Sequence, residues 1–168
     1  MNPQILEALC TDFTAIYQCD LIQDTIDIVR FDKGTHTDMA IQTMDPYTLH
    51  SFHKMIQYFE NLYIQDSAQE SLWKEFEPHA LMEKLKDNPI YCYHCRLKPN
   101  QNGNEYHSFR AIKSNASKSS FEVVIGVKVM DDLMEKQYKN EKRLQQLLEE
   151  KKHQKKELEI AYKQGQKK

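Results

Sequence analysis

The sequence predicts an α+β fold: a five-stranded antiparallel sheet with helices packed on one face, a flanking N-terminal helix, and a long C-terminal helix. Three observations carry this. Five segments alternate apolar and polar residues with period two, the spacing that puts one side of a strand on a core. Between the second and third of them, apolar residues recur at three- and four-residue spacing, as on helices. No Gly or Pro stands between Gly126 and Gly165, where the composition turns strongly polar.

The elements follow in order. Asn2-Pro3 is a helix start, and Ile5, Leu6, Leu9 and Phe13 mark one helical face. Ala15, Tyr17 and Cys19 alternate with Ile16, Gln18 and Asp20, and Thr25–Phe31 alternates again, so the two read as an antiparallel hairpin. Residues 32–44 read as polar and irregular. Asp45-Pro46 then opens one helix carrying Leu49, Phe52, Met55, Ile56, Phe59, Leu62 and Tyr63. Ser67-Ala68-Gln69-Glu70 fits a capping box ahead of Leu72, Trp73 and Phe76. Glu77-Pro78 starts a short helix with Leu81, Met82 and Leu85, which Asn88-Pro89 stops.

Ile90–Leu97 and Glu105–Ile112 flank a turn segment at 99–104 and form a second hairpin; 114–120 is a polar loop. On Phe121–Met130, the residues Phe121, Val123, Ile125, Val127 and Val129 should face the core. The opposite face keeps Val124 and a bare Gly126. Its expected cover is the N-terminal helix, through Ile5, Leu6 and Leu9, or the same helix of a dimer partner.

Charge separates the tail from the rest. Residues 131–168 hold 11 Lys/Arg and 8 Asp/Glu, whereas 1–130 hold 12 and 17 together with 15 of the 17 aromatics. The organisation is therefore 1–13 flanking helix, 14–130 globular domain, 131–168 helical extension. Asp131-Asp132 caps that extension and sets negative charge at its positive end. In heptads with position a at Met130, Gln137, Leu144, Lys151 and Leu158, position d falls on Leu133, Asn140, Leu147, Gln154 and Ala161. Leu133, Leu144, Leu147 and Leu158 anchor a seam that is coiled-coil-like but weak. The expected partner is a second copy, giving a parallel homodimer.

Several function classes drop out. The net charge of −2 gives no footprint for nucleic acid. No run approaches the roughly 20 apolar residues that span a bilayer. Met1-Asn2-Pro3-Gln4 lacks the basic start of a signal peptide, so the chain reads as cytoplasmic, with its four cysteines reduced. Cys92-Tyr93-His94-Cys95 has zinc-ligand spacing, but on a strand positions i and i+3 point to opposite faces. His50 and His53 share a helix face and read as solvated. No Gly-rich phosphate loop, paired carboxylates or positioned nucleophile is found, so the chain reads as non-enzymatic, with its cofactor, if any, unknown.

The aromatics point elsewhere. Tyr17, Phe59, Trp73, Phe76, Tyr91, Tyr93 and Phe109 should lie on or under one sheet. Two readings stay open: a filled core, or a core hollowed into a small-molecule pocket walled by Tyr17, Tyr93, Phe109, Val123 and Ile125. A sensor requires a cavity there; a constitutive dimerisation scaffold requires those side chains to touch.

The segments Ile5–Leu9, Phe13–Leu21 and Thr25–Arg30 resemble the opening of bacterial PAS sensor domains: a short helix, a strand ending in Asp-Leu, a turn, and a strand ending in Arg. Leu81–Pro89 followed by Tyr93-His94-Cys95-Arg96-Leu97 is similar to the helix and Tyr-x-x-Arg-Leu strand of that group. Val123–Asp132 resembles its last strand and Asp-rich exit. The resemblance spans about residues 5–163, and the strand–helix order agrees with it. It implies a PAS-like cytoplasmic sensory and dimerisation module whose exit helix feeds a sensor histidine kinase or a diguanylate cyclase. Neither a phosphorylatable-histidine box nor a Gly-Gly-Asp-Glu-Phe signature is present, so a regulatory fragment is expected. The Asn-Cys-Arg-Phe-Leu-Gln motif of flavin-binding relatives is also absent.

Overall fold

The structure, a computed structural model, describes residues 12–166. The chain divides into two compact units, Met1–Val129 and Met130–Lys168. In the first, β1 (Ala15–Asp20), β2 (Thr25–Phe31), β3 (Ile90–Arg96), β4 (Tyr106–Ala116) and β5 (Phe121–Val129) form one antiparallel sheet in the order β2-β1-β5-β4-β3. The chain's first and last strands thus lie side by side at the centre, Tyr17 opposite Ile125. The long β2–β3 connection carries five helices: α1 (His36–Thr43), α2 (Pro46–His50), α3 (Phe52–Tyr63), α4 (Leu72–Phe76) and α5 (Pro78–Asp87). The architecture is α+β, with the helices on one side of the sheet and a long helix after it, and is consistent with a PAS-like fold.

Period two explains the core. Tyr17 and Cys19 of β1, Phe109 and Ala111 of β4, and Val123, Ile125 and Val127 of β5 are buried together against Phe52, Met55 and Phe59 of α3, Leu72 and Phe76 of α4, and Leu81 and Leu85 of α5. Phe121 packs at the margin of this core. On the other face of β5, Gly126 is buried, and the Phe13 ring lies directly on it. The helix expected to cover this face, with Ile5, Leu6 and Leu9, lies outside the described residues.

Four local expectations need correction. Residues 36–43 are helical, because Thr35 caps them by accepting from the Asp38 N–H, while the Asp38 carboxylate accepts from the Gly34 N–H at 2.7 Å. The helix expected from Asp45 to Tyr63 is two helices, broken at Ser51. Asp45 caps the first; the second begins where Asp24, in the β1–β2 turn, accepts the His53 N–H at 2.8 Å. Ser67–Glu70 is not a capping box. Ser71 caps α4 through the Lys74 N–H, and the buried Glu70 carboxylate instead accepts the Arg96 N–H at 2.8 Å. β4 also runs four residues further than expected, into the segment read as loop.

The second unit contains α6 (Asp132–Gln166), 35 residues and about 52 Å long at ~1.5 Å per residue. Asp131 opens it, its carboxylate accepting the Met134 N–H at 2.8 Å. Among the described residues, no helix is long and apolar enough to cross a membrane.

Candidate functional site

Between the sheet and the helices lies a small apolar cavity, of about 20 Å³. Its sheet wall is Tyr17, Ile26, Phe109 and Ile125, each an inward residue of its strand; α3 contributes Met55, Ile56 and Phe59, and α4 contributes Leu72 and Phe76. Three of the five pocket-wall residues proposed from sequence therefore meet here. The other two do not. Val123 is fully buried in the core away from this lining. Tyr93 stands on β3, where its hydroxyl accepts the Ser71 N–H at 3.2 Å and its ring lies 6.3 Å from Phe76.

Such a volume matches about one water molecule, and a wall this apolar keeps it dry. Drug-sized ligands occupy hundreds of Å³. The hydroxyl of Tyr17, one of the lining residues, is hydrogen-bonded to that of Thr37 on α1. Burial pushes the Tyr17 phenol well above its ordinary value, so it stays neutral and serves as a hydrogen-bonding latch.

A second buried group adjoins the first. His36 of α1 and His107 of β4 meet edge to face with centroids 5.0 Å apart, and Tyr63 meets His36 edge to face at 4.9 Å. His36 Nε2 is 2.6 Å from the Lys98 carbonyl and His107 Nδ1 is 2.9 Å from the Glu105 carbonyl. Burial lowers both pKa values; for His107, burial together with the smaller effect of the neighbouring His36 brings it to about 4, against the opposing bond to the Glu105 carbonyl. Both rings are therefore neutral at pH 7. Nothing in the local sequence pattern marks this pair, because the two residues are 71 positions apart and meet only where the first helix packs against the sheet.

The remaining candidates are placed as follows. Cys92 is exposed and Cys95 buried, on opposite faces of β3, and Cys19 is buried on β1. His50 is exposed at the end of α2, whereas His53 is not simply solvated: its Nδ1 lies 2.5 Å from Asp24 Oδ2. Ser51 donates to the same carboxylate at 2.7 Å. Ser51 Oγ also lies 3.2 Å from His53 Nδ1, the same ring nitrogen that meets Asp24, so serine and carboxylate address one nitrogen of the imidazole and not its two ends. The Asp24 carboxyl, despite some burial, is held below the usual range by the bonds from His53 and Ser51. Asp24 was missed because its partners lie 27 and 29 residues away.

No protein-family model and no curated protein matches the chain. Function must be argued from the residues. Of the dimer-contact residues proposed from sequence, Ile5, Leu6 and Leu9 lie outside the described residues. Leu133, Leu144, Leu147 and Leu158 stand on α6, exposed at 65%, 59%, 53% and 72%. These leucines recur along α6 with most of their side-chain surface open.

Proposed function

We propose that the protein is a PAS-type dimerisation and signal-relay module of a cytoplasmic signal-transduction protein. In this reading the folded unit sets the start of α6, and paired α6 helices pass a change in arrangement to an output domain of the sensor kinase or diguanylate cyclase kind. The observation that carries it is the row of exposed leucines on α6, directly after the last core strand. The module performs no chemistry of its own. Its output is a population shift between two arrangements of the helix pair, each set by differential interaction free energy.

The volume of about 20 Å³ between sheet and helices, where Tyr17, Phe109 and Ile125 line the wall, supports the scaffold form of this reading over the ligand-sensing form. A ligand larger than a few atoms requires α3 and α4 to move off the sheet. The test is the solution mass of the full chain at micromolar concentration by light scattering. A dimer is expected; a clean monomer overturns the proposal. Heating scans with small apolar probes such as benzene separate the two forms. No shift in Tm is expected for a filled scaffold, and a shift of several degrees returns the sensing form to first place.

A further inference from the structure

Helix α1 is held on the domain mainly by polar groups. Of its eight residues, Ala40 alone enters the apolar core, with Met39 at the margin. The other ties are hydrogen bonds. The Thr37 hydroxyl meets that of Tyr17 on β1, and His36 Nε2 donates to the Lys98 carbonyl at 2.6 Å. Just before the helix, the Gly34 carbonyl accepts the Gln101 N–H at 3.0 Å, and the Lys33 carbonyl accepts the Asn102 side chain at 2.9 Å. A segment tied by bonds that water can replace, with little apolar area buried, belongs to the low-stability end of a fold.

Where α1 meets the sheet, two imidazoles have nowhere to put a charge. His36 and His107 meet edge to face, each already donating one N–H to a backbone carbonyl. The gap beside them, which Thr35, Thr37, Phe59 and Phe109 help to line, holds about 10 Å³, the lower limit for a single water. A charged ring there stands without a hydration shell, and a second charge would lie 5.0 Å from the first. The surrounding groups do not compensate. Tyr63 on α3 contacts His36, with Tyr58 beyond it at 6.2 Å. The Tyr17 hydroxyl on β1 is taken up by Thr37. In register with His107 stand Cys95 on β3 and Val129 on β5. Of the carboxylates close in the chain, Asp38 accepts the Gly34 N–H and Glu105 pairs with Arg96 at 3.3 Å; Lys98 is exposed.

We infer that α1 is a strap released by protons: charging the His36–His107 pair lifts it off the sheet while the five strands stay paired. The direction follows from where a proton is stabilised. With α1 in place the rings stay neutral, and once it lifts they reach water and titrate near the ordinary value, so acid favours the lifted form. His107 titrates at about 4 in place and at ~6.5 when open, which makes opening about thirtyfold more frequent at pH 5 than at pH 7.5 from that ring alone. Release frees the hydroxyl of Tyr17, a residue of the apolar cavity wall, from Thr37. It also uncovers His107 beside Val129, the last residue of β5. Acid is thereby read at the cavity wall and at the end of the last strand, and no dimer is required.

Hydrogen exchange on the full chain tests this, with each amide corrected for its intrinsic rate. Protection of the α1 amides, including Met39, is expected to stay flat in urea below the unfolding transition, because a local opening exposes little surface; protection in β1 and β5 should fall with urea. Between pH 7.5 and pH 5 the α1 amides should lose about thirtyfold or more in the native chain, and less than about threefold in the double variant His36→Gln with His107→Gln. Protection of α1 that falls with urea in step with β1 and β5 at both pH values means that α1 leaves only when the domain unfolds, and overturns the strap. A pH loss as large in the double variant assigns the release to other groups and overturns it as well. The urea series needs no variant, so it decides even where the double variant does not fold.

Discussion

The Phe13 ring rests on Gly126: a Cβ placed at Gly126 would sit 2.6 Å from Phe13 Cδ1 and 2.7 Å from Cε1. Arg110, the register neighbour of Gly126 on β4, lies over the same ring at 6.0 Å. The missing side chain on β5 is thus a seat for the residue that leads into the first strand. It ties the start of the described chain to the strand that precedes α6.

Gly126→Ala is therefore expected to overpack this seat and cost about 1–3 kcal/mol. Phe13→Leu should cost less alone, and the double variant should recover part of the Gly126→Ala loss. Urea midpoints of the two single variants and the double variant give the coupling directly. Additive losses would show that the two residues do not share one packing site.

Asp24 is a non-glycine residue with φ of +56°, and its carboxylate caps α3 from a distant turn. Two effects oppose each other at this position. Asp24→Ala loses the cap and keeps the left-handed backbone, so about 1–2 kcal/mol is expected. Asp24→Gly loses the same cap but relieves a backbone cost of ~1 kcal/mol, and should be the milder change. Equilibrium unfolding that ranked glycine below alanine would remove the role given to backbone conformation.

These long-range caps show where sequence reading stops. The sheet was legible because Ala15-Tyr17-Cys19 and Val123-Ile125-Val127 keep strict period two and all six are buried; Ile16 and Gly126, on the other face, are buried as well. Helix α1 carried a readable signal, Thr35 three residues before Asp38, which its polar surroundings obscured. The break at Ser51 carried none, since the deciding group is Asp24, on another element. The cavity was half legible for a similar reason. Inward pointing can be read from alternation, but which inward residues meet depends on strand order: Tyr17, Phe109 and Ile125 are on the adjacent central strands β1, β5 and β4, while Tyr93 is on the edge strand β3.

The buried His36–His107 pair makes stability depend on pH. Each ring is held neutral in the folded state, with His107 lowered to about 4, whereas an unfolded histidine titrates near ~6.5. Between those values the unfolded chain binds more protons, so stability falls as pH falls. The loss begins near pH 6.5 and is complete a little below pH 4, and for His107 alone it is on the order of 3 kcal/mol. Urea midpoints at pH 7.5 and 5 should differ clearly for the native chain and less for His107→Phe. An equal drop in both would assign the acid sensitivity to other groups.

Glu60 on α3 holds the start of α4 as Asp24 holds the start of α3. Its Oε1 accepts the Ser71 hydroxyl at 2.8 Å, and its Oε2 accepts the N–H groups of Leu72 at 2.7 Å and Trp73 at 3.3 Å. A helix of five residues has almost no internal hydrogen bonding, so these donors depend on that carboxylate. Glu60→Ala leaves partly buried N–H groups without their acceptor and should cost about 1–3 kcal/mol. Glu60→Gln keeps one acceptor oxygen and should cost less. Trp73 is the single tryptophan and sits in this first turn, so its emission reports the site locally. A red shift is expected for Glu60→Ala in the folded protein, before any global unfolding. Because Leu72 and Phe76 line the apolar cavity, the same variant should loosen that wall and admit benzene, read as a rise in Tm with added benzene. Unchanged emission and an unchanged Tm would mean that α4 is held by its packing alone and that Glu60 contributes nothing to closing the core.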